Sequence, residues 1–353
     1  MLSFKHIQHA VMMTIIMTGM ILGLLPVLAV SQASANNDKP EVIVYTYDSF
    51  AADWGPGPKI KSAFEAQCEC TLTFIGLDTS LAVLTRIRLE GENTPADIIL
   101  GLDTSQLSVA KNSLNLAPHG IAQINPMLDL PETIGPWQDE VFIPFDWGYF
   151  AFVYDASKHR QVPSSMTELI QSDHPWRIAI QDPRSSTPGF GLMLWMKALY
   201  GDQASENWQN FMPKITTITK GWSEAYGLFL DDEVDMVLSY TTSPSYHRVA
   251  EDQSQYEYLA FTEGHYTQIE VAAMLASTDQ PKLSQQFLAF LLTPEAQSLI
   301  PTTNWMYPAV KGIPLPEGFE VTEKPAGLLL DNAMVADKQK QWLDEWIMAV
   351  SQN

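Results

Sequence analysis

The chain has 353 residues and a formal net charge of −21, which results from 41 acidic and 20 basic side chains. A surface this acidic repels nucleic acid and anionic lipid, so we expect neither as a partner. The length suffices for one large domain or for two lobes.

Residues 1–35 have the pattern of a secretory signal peptide. Lys5 gives a positive start, and Ala33-Ser34-Ala35 offers the small residues that signal peptidase reads after an uncharged stretch at 10–30. An uncleaved membrane anchor is the alternative, because a stretch of this length nearly spans a bilayer. Pro26 and the small polar residues that follow favour cleavage near Ala35, so we predict an exported, periplasmic protein.

The two cysteines, Cys68 and Cys70, are separated by one residue. Export implies an oxidising compartment, where the pair predicts a disulfide, although a local turn must bring the two Cα atoms within bridging distance. A zinc site needs about four ligands, and no second Cys or His pair is present in the sequence. We therefore predict a small structural disulfide and no metal site.

Strand and helix patterns alternate in the first part of the exported chain. Apolar runs predict strands at 41–47, 71–77 and 96–102, and helical spacing of apolar residues predicts helices at 59–67 and 81–90. This order of elements predicts a mostly parallel sheet with helices on both faces.

The pattern restarts after a long, aromatic-rich extended run at 142–154. A second extended run at 264–275 closes a central α/β block. Within and after that block, the sequence predicts strands or helices at 176–181, 191–200, 223–230, 234–240, 282–300 and 338–350. Two extended runs that bracket an α/β block predict two lobes joined by two crossings.

We divide the predicted exported chain into lobe 1 at 36–145, lobe 2 at 146–269, and a C-terminal part at 270–353 that returns to lobe 1. Such an α/β fold binds its ligand between the lobes, near the carboxyl ends of the strands. Closure of the lobes would bend the two crossings near 144–150 and 264–270.

Residues 221–246 combine aromatic and hydroxyl side chains at predicted helix starts and strand ends. They are Trp222, Tyr226, Tyr240, Thr241, Thr242, Ser243 and Tyr246. An aromatic stripe on a helix more commonly belongs to the core, but helix starts and strand ends at one sheet edge converge in space. The mixture is typical of a pocket that stacks on a flat ligand and hydrogen-bonds its polar edge.

Three other segments contribute candidate ligand contacts. Tyr47 and Asp48 end the first predicted strand, before a turn rich in Gly and Pro that allows close approach of the backbone to a ligand. Ser186 and Thr187 precede a predicted helix, where hydroxyls cap the helix and its N–H groups also suit a phosphate. Trp305 lies in a loop bounded by prolines, which disfavours a core position.

Tryptophan and tyrosine faces around one site favour a delocalised cation, because each ring contributes on the order of 0.5–2 kcal/mol through its quadrupole. The histidines form no HExxH motif, and no Gly-x-Ser-x-Gly elbow is present. We therefore predict ligand binding without catalytic residues.

Several long segments, in the same order, resemble the thiamine-binding periplasmic proteins of bacterial ABC transporters. The most specific segments are YTYDSFAADWGPGP (45–58), ADIILGLD (96–103), PFDWGYFAFVYD (144–155), QDPRSSTPG (181–189), TKGWSEAYGLFL (219–230), LSYTTSPSYH (238–247) and PTTNWMYP (301–308). The resemblance implies a two-lobed α/β fold of the type II periplasmic binding protein class. It also implies thiamine, with its mono- and diphosphates, as transported ligand rather than cofactor, and a membrane permease as partner of a monomer.

The resemblance implies ligand contacts at Tyr47, Ser186, Thr187, Trp222, Tyr240, Thr241, Thr242, Ser243, Tyr246 and Trp305. Tyr246 and Trp305 would flank the thiazolium, while Trp222 and Tyr240 help to enclose the ligand. The hydroxyl groups would hold its polar or phosphate end. Thr79-Ser80 stands where the family is expected to have Asp-Gly, so Asp78, Thr79 and Ser80 are also candidates, with Asp78 able to replace the acidic contact.

Two alternatives stay open at this point. A ferric-ion or polyamine binder shares the fold, and the tyrosines at 45, 47, 240 and 246 could serve as iron ligands. Less favoured is an enzyme of the thiaminase I type, which uses a cysteine nucleophile. Only Cys68 and Cys70 could supply one, and both lie outside the predicted cleft.

Overall fold

The computed structural model describes residues 39–319 and 324–352. The predicted signal peptide lies outside these residues. Within the described ranges, every helix is too short or too polar to cross a membrane.

The strands form one twelve-stranded mixed sheet across the described residues. In chain order they are β1 (Glu41–Tyr47), β2 (Thr71–Leu77), β3 (Ile98–Asp103), β4 (Leu116–Ala117), β5 (Ile143–Asp155), β6 (Ile178–Gln181), β7 (Ile215–Thr219), β8 (Met236–Tyr240), β9 (Tyr256–Tyr258), β10 (His265–Leu275), β11 (Tyr307–Pro308) and β12 (Gly327–Leu328). The main path follows the order β2-β1-β3-β10-β5-β8-β6-β7.

The helices cover the faces of this sheet. In chain order they are α1 (Asp48–Ala51), α2 (Pro56–Glu65), α3 (Ser80–Glu90), α4 (Leu107–Ser113), α5 (Met166–Gln171), α6 (Thr187–Tyr200), α7 (Ala204–Phe211), α8 (Trp222–Leu230), α9 (Ser243–Ala250), α10 (Pro281–Leu291), α11 (Pro294–Gln297), α12 (Ile300–Thr303) and α13 (Asn332–Ser351).

Two long strands join two parallel halves of the sheet. β1 pairs in parallel with β2 and β3, and β6 pairs in parallel with β7 and β8. Between these halves, β10 and β5 run antiparallel to each other and to their outer neighbours β3 and β8. β5 and β10 are buried along almost their whole length, which explains why both read as long apolar runs in the sequence.

The apolar side chains form two main core clusters, one in each half. The first includes β1, β3 and Phe287 of α10, and the second includes β6, α6 and Trp195. Trp342 and Trp346 of α13 pack in the second cluster. The chain after residue 270 therefore contributes to both clusters, and the predicted lobe limits stay a prediction.

A disulfide joins Cys68 to Cys70 in the connection between α2 and β2, with the two Cα atoms 5.2 Å apart. Glu65 ends α2 and Thr71 begins β2, so the bridge lies in the short turn between them. The turn supplies the local bend that the one-residue spacing requires.

Candidate functional site

A cavity of about 640 Å³ opens at the carboxyl ends of the parallel strands. Its volume falls in the range of pockets that hold one small organic molecule. The residues that carry its chemistry are Tyr47, Asp48, Trp54, Asp78, Thr79, Ser80, Ser186, Thr187, Trp222, Tyr226, Tyr240, Ser243, Tyr246, Glu270, Asn304 and Trp305.

Parallel strands explain why residues so far apart in sequence meet here. β1 and β2 are parallel neighbours, so their carboxyl ends deliver Tyr47 and Asp78 to one edge. β6, β7 and β8 do the same in the other half, where α6, α8 and α9 follow them. The cavity is therefore walled by strand ends and helix starts of both halves of the sheet.

Aromatic rings form much of the wall. Tyr246 and Trp305 meet edge to face, with ring centroids 5.3 Å apart and an interplanar angle of 75°. Trp222 stacks on Tyr226 at 4.9 Å and 27°. Tyr240 is backed by Phe150 at 5.3 Å. Rings that pack on one another lose little further side-chain entropy when a ligand binds between them.

Hydrogen bonds fix two of these rings from behind. Nε1 of Trp222 donates to Oγ of Ser239 at 2.8 Å, and that hydroxyl lies 2.7 Å from Oγ of Ser243. The Tyr246 hydroxyl donates to Glu251 at 2.8 Å. The aromatic wall is thus positioned by polar side chains that are held by the fold.

A buried histidine, His247, supports the stacked pair of Trp222 and Tyr226. The Tyr226 hydroxyl lies 2.9 Å from Nε2 of His247, whose Nδ1 lies 2.6 Å from Glu251. Burial lowers the pKa of the His247 imidazole, so the ring is neutral at pH 7. Glu251 therefore positions Tyr246 and His247 through direct hydrogen bonds. It also positions Tyr226 indirectly, through His247.

Trp305 has an unusual backbone conformation, with φ at +56°. It follows the end of α12, and its N–H donates to the carbonyl of Ile300 at 3.0 Å. Glycine is usual at such a helix end because the left-handed region is strained for a bulky residue. Trp305 therefore combines a strained backbone with a ring that lines the cavity.

Helix N-termini also line the cavity. The first residues of α3, α6, α8 and α9 all line it: Ser80, Thr187, Trp222 and Ser243. Each N-terminus brings unpaired N–H groups and the positive end of the helix dipole. This arrangement favours an anionic or strongly polar group on the ligand.

Among the described residues, the N-termini of α6, α8 and α9 have no side-chain cap, and Ser186 is the N-cap residue of α6. The Thr187 hydroxyl at the start of α6 is also buried without a hydrogen-bond partner in the described parts of the chain. By contrast, Thr79 caps α3 by accepting from the Ala82 N–H at 3.1 Å. Polar groups of α6 are therefore left available to a ligand.

Three buried carboxyls lie in a row beneath the cavity. Glu270 of β10 is directly opposite Asp103 of β3 on one side and Asp146 of β5 on the other. Glu270 lines the cavity and is only 6% exposed. Burial raises the pKa of Asp103 to about 6 and that of Asp146 to about 8. Burial first, and then the Asp146 charge, raise the pKa of Glu270 well above its usual range.

Tyr47 and Asn304 link this row to the cavity wall. The Tyr47 hydroxyl donates to Oε2 of Glu270 at 2.7 Å, and the Asn304 amide donates to Oδ2 of Asp146 at 2.6 Å. Asn304 also donates to the Tyr47 hydroxyl at 3.1 Å. A cation in the cavity would therefore face a hydrogen-bonded group of buried acids.

Most of the predicted contacts meet in this cavity, but Thr241 and Thr242 are not part of its lining. Both are buried, and the Thr241 N–H donates to the Tyr149 carbonyl at 2.9 Å. The Thr242 hydroxyl points to the sulfur of Met306 at 4.0 Å. Those brought to the wall are Tyr47, Asp78, Thr79, Ser80, Ser186, Thr187, Trp222, Tyr240, Ser243, Tyr246 and Trp305. Their contact with a ligand stays a prediction.

Sequence reasoning left Trp54, Glu270 and Asn304 out of the predicted site. It placed Asp48 and Tyr226 near the cleft without counting them among the final ligand contacts, and both line the cavity. Glu270 and Asp146 had a usable signal, because each is a carboxylate within a predicted buried strand. A charge in such a position is rare unless it is paired or functional. The tyrosine and tryptophan lay in segments already singled out, but nothing local distinguished core from wall.

Three observations bear on parts of the two alternatives. Among residues 39–319 and 324–352, no group of three or more His, Cys, Asp or Glu side chains is placed to hold a metal ion. Tyr45 is buried away from the cavity, with its hydroxyl 3.3 Å from Glu90. Cys68 and Cys70 are bonded to each other and lie outside the cavity lining.

Comparison with known proteins gives one consistent result. Thiamine-binding periplasmic proteins of Salmonella typhimurium (strain LT2) and Escherichia coli (strain K12) are 50% and 51% identical to this chain. The alignments cover 93% and 89% of this chain, and 98% and 94% of the respective relatives. A solved periplasmic thiamin binding protein is 50% identical, with a TM-score of 0.85 over 88% of this chain and 96% of its own.

These similarities confirm the predicted two-lobed α/β fold of the type II periplasmic binding protein class. The relatives named as periplasmic proteins also support an exported location. The sequence profile of one family, described as bacterial extracellular solute-binding protein, matches residues 59–326. The chain therefore belongs to the family of bacterial extracellular solute-binding proteins.

Proposed function

We propose that this protein captures thiamine in the periplasm and delivers it unchanged to the membrane permease of an ABC importer. The observation that carries the proposal is one cavity that is lined both by the Tyr246–Trp305 ring pair and by a buried acid, Glu270. Aromatic faces and a buried carboxyl together favour a flat ligand with a permanent positive charge. The identity to thiamine-binding relatives supports the same ligand.

The walls of the cavity differ enough to orient such a ligand. The thiazolium would lie against Tyr246 and Trp305, where the ring faces attract a cation. Trp222 and Tyr240 would enclose the aminopyrimidine. The hydroxyethyl group, or the phosphate of thiamine mono- and diphosphate, would reach Ser186 and Thr187 at the start of α6, which suits an anion.

Capture would proceed by closure of the two halves over the ligand. Lys220, after β7, forms an ion pair with Asp78, after β2, across the cavity mouth. A Cβ atom on Gly221 would lie 3.4 Å from the Asp78 carbonyl oxygen, so the two turns are in contact. The long strands β5 and β10 are the connections that would bend near 144–150 and 264–270. We propose that a monomer suffices, because residues of one chain wall the cavity.

Titration calorimetry with thiamine, thiamine diphosphate and spermidine tests this proposal. We expect saturable one-to-one binding of both thiamine compounds and none of spermidine, because a flexible polyamine cannot stack on the rings. Thiamine recovered after prolonged incubation should be intact. Binding of spermidine alone, or slow cleavage of thiamine, would contradict the proposal.

A further inference from the structure

The row of buried acids is electrostatically unfavourable in the ligand-free protein if all three carboxyls are ionised. Asp103, Glu270 and Asp146 occupy directly opposed positions on β3, β10 and β5. Like charges in that relation repel across a sheet. All three side chains are at least nine-tenths buried, where water cannot screen the repulsion.

Each carboxyl has different hydrogen-bond partners. Asp103 accepts from the Ser105 N–H at 2.8 Å and also bonds the Ser105 hydroxyl, so it is satisfied as an anion. Glu270 accepts from Tyr47 at 2.7 Å and from the Gln268 amide at 2.9 Å. Oδ1 of Asp146 has no partner among the described residues.

No positive charge balances Glu270 within the described parts of the chain. The titratable groups that act on it are Tyr47 from β1, Asp103 from β3 and Asp146 from β5. Tyr240 from β8 belongs to the same group, since Glu270 acts on its phenol. All four are acids. A proton is therefore the only counter-charge that the protein itself can place on the Glu270–Asp146 pair.

We propose that Glu270 makes the site specific for cationic ligands by exchanging a proton for the ligand's positive charge. In the ligand-free protein, the Glu270–Asp146 pair shares one proton. When the cation enters, the O–H bond of the shared acid breaks, its electron pair stays on the carboxylate, and the proton leaves to solvent. The net charge within the cavity stays constant, because one positive charge replaces another.

Charge discrimination follows from this exchange. A neutral ligand of the same shape leaves the pair protonated and gains no electrostatic attraction. A cation gains a carboxylate at the cavity floor. The inference rests on the proposed function, because it takes the thiazolium of thiamine as the cation.

Calorimetry of the wild-type protein with thiamine, in buffers with different ionisation enthalpies, counts the protons released. We expect about one proton per thiamine near pH 6.5, and an association constant that rises about tenfold per pH unit between pH 6 and 7.5. An uncharged isostere of thiamine, with carbon in place of the thiazolium nitrogen, should release none. The isostere keeps the aminopyrimidine, so titration of that ring cancels in the comparison.

Two variants locate the proton. Glu270→Gln should bind thiamine with no proton release and with pH-independent affinity. The new amide can still accept from Tyr47. If the Gln268 side-chain amide turns over, its Oε1, which has no partner among the described residues, accepts from the new amide N–H, so the fold should be retained. Asp344→Asn is the matched control, because Asp344 is an exposed carboxyl on α13 and lies outside the cavity lining. It should release as many protons as the wild type.

The possible failures are distinguishable. Thiamine binding without proton release in the wild type would overturn this inference and leave the proposed function intact. Proton release that persists in Glu270→Gln at the level of the wild type and of Asp344→Asn would also overturn it. Absence of any thiamine binding to the wild type would remove the proposed function, and the inference with it.

Discussion

At the scale of single residues, Trp305 combines a strained backbone with a ring in the cavity wall. Its left-handed conformation costs about 1–2 kcal/mol relative to glycine. The Trp305 ring meets the Tyr246 ring edge to face. The strain is consistent with a residue retained for its aromatic face.

Trp305→Ala should therefore weaken thiamine binding by about 1–3 kcal/mol, from lost stacking and cation–π attraction. Titration calorimetry measures the change. Trp305→Phe serves as the control, since it keeps a ring face and should lose less. Equal affinities of wild type and Trp305→Ala would show that the indole makes no contact with thiamine.

The buried acid row predicts a pH dependence of stability in the ligand-free protein. An Asp146 pKa raised to about 8 keeps a proton in the folded chain after the unfolded chain has lost it. Stability is then lost as pH rises from about 4 towards about 8, with a slope of up to about 1.4 kcal/mol per pH unit for one retained proton. Asp146→Asn removes this contribution, so its free energy of unfolding should fall less steeply than that of the wild type.

Urea unfolding at pH 5, 6, 7 and 8 measures the difference. Asp344→Asn changes the same group at an exposed position of α13 and should follow the wild-type curve. Parallel curves for the wild type and Asp146→Asn would mean that Asp146 is ionised in the folded protein at every pH tested.

Single residues also show which parts of the site the sequence could and could not predict. Tyr246 and Trp305 were predicted for the site because aromatic residues beside turns and prolines have few core positions open to them. Glu270 was missed because its significance comes from β3 and β10 and from β5 and β10 being neighbours. A carboxylate within a predicted buried strand marks Glu270 and Asp146 one at a time, but the row they form with Asp103 depends on strand neighbours that are distant in sequence.

At the scale of elements, continuous apolar runs were the most predictable. β1 and β2 have the predicted limits, 41–47 and 71–77. α6 was predicted from residue 191 but begins at Thr187, because Pro188 is favourable in a first helical turn. Tertiary packing explains the glycine at position 191 of α6, because a Cβ atom there would lie 2.0 Å from the Phe150 ring. Such a contact cannot be inferred from helix propensity.

The α6 N-terminus should distinguish thiamine diphosphate from thiamine. Thr187→Val removes the unpartnered hydroxyl with little change of shape. Because a hydrogen bond to a charged group contributes about 1.5–3 kcal/mol, we expect a loss of that size for thiamine diphosphate and little change for thiamine. Competition calorimetry with the two ligands gives both values.

Thr241→Val is the matched control, since the Thr241 hydroxyl is also buried and unpartnered but lies off the cavity lining. It should leave both affinities unchanged. A loss of affinity with Thr241→Val would show that Thr241 contacts the ligand, as the sequence predicted. Equal losses of both ligands with Thr187→Val would place the phosphate elsewhere.

At the scale of the whole molecule, the exposed Lys220–Asp78 pair should slow ligand release only modestly. Exposed ion pairs contribute up to about 1 kcal/mol, so Lys220→Ala should raise the thiamine dissociation rate by at most about fivefold. High salt should reduce the difference. Stopped-flow release into excess unlabelled ligand measures the rate.

A double-mutant cycle with Asp78→Ala separates pairing from ligand contact. If Asp78 acts through Lys220, then Asp78→Ala should have no further effect in the Lys220→Ala background. A further loss of affinity in that background would show that Asp78 contacts thiamine itself, as its position after β2 predicts from the sequence.

Closure of both halves around one cationic ring is tested most directly by a crystal structure of the protein with thiamine. We predict the thiazolium between Tyr246 and Trp305 above Glu270, with the hydroxyethyl group directed to the start of α6. Thiamine outside this cavity, or a thiazolium turned towards Thr187 and away from Glu270, would contradict that prediction.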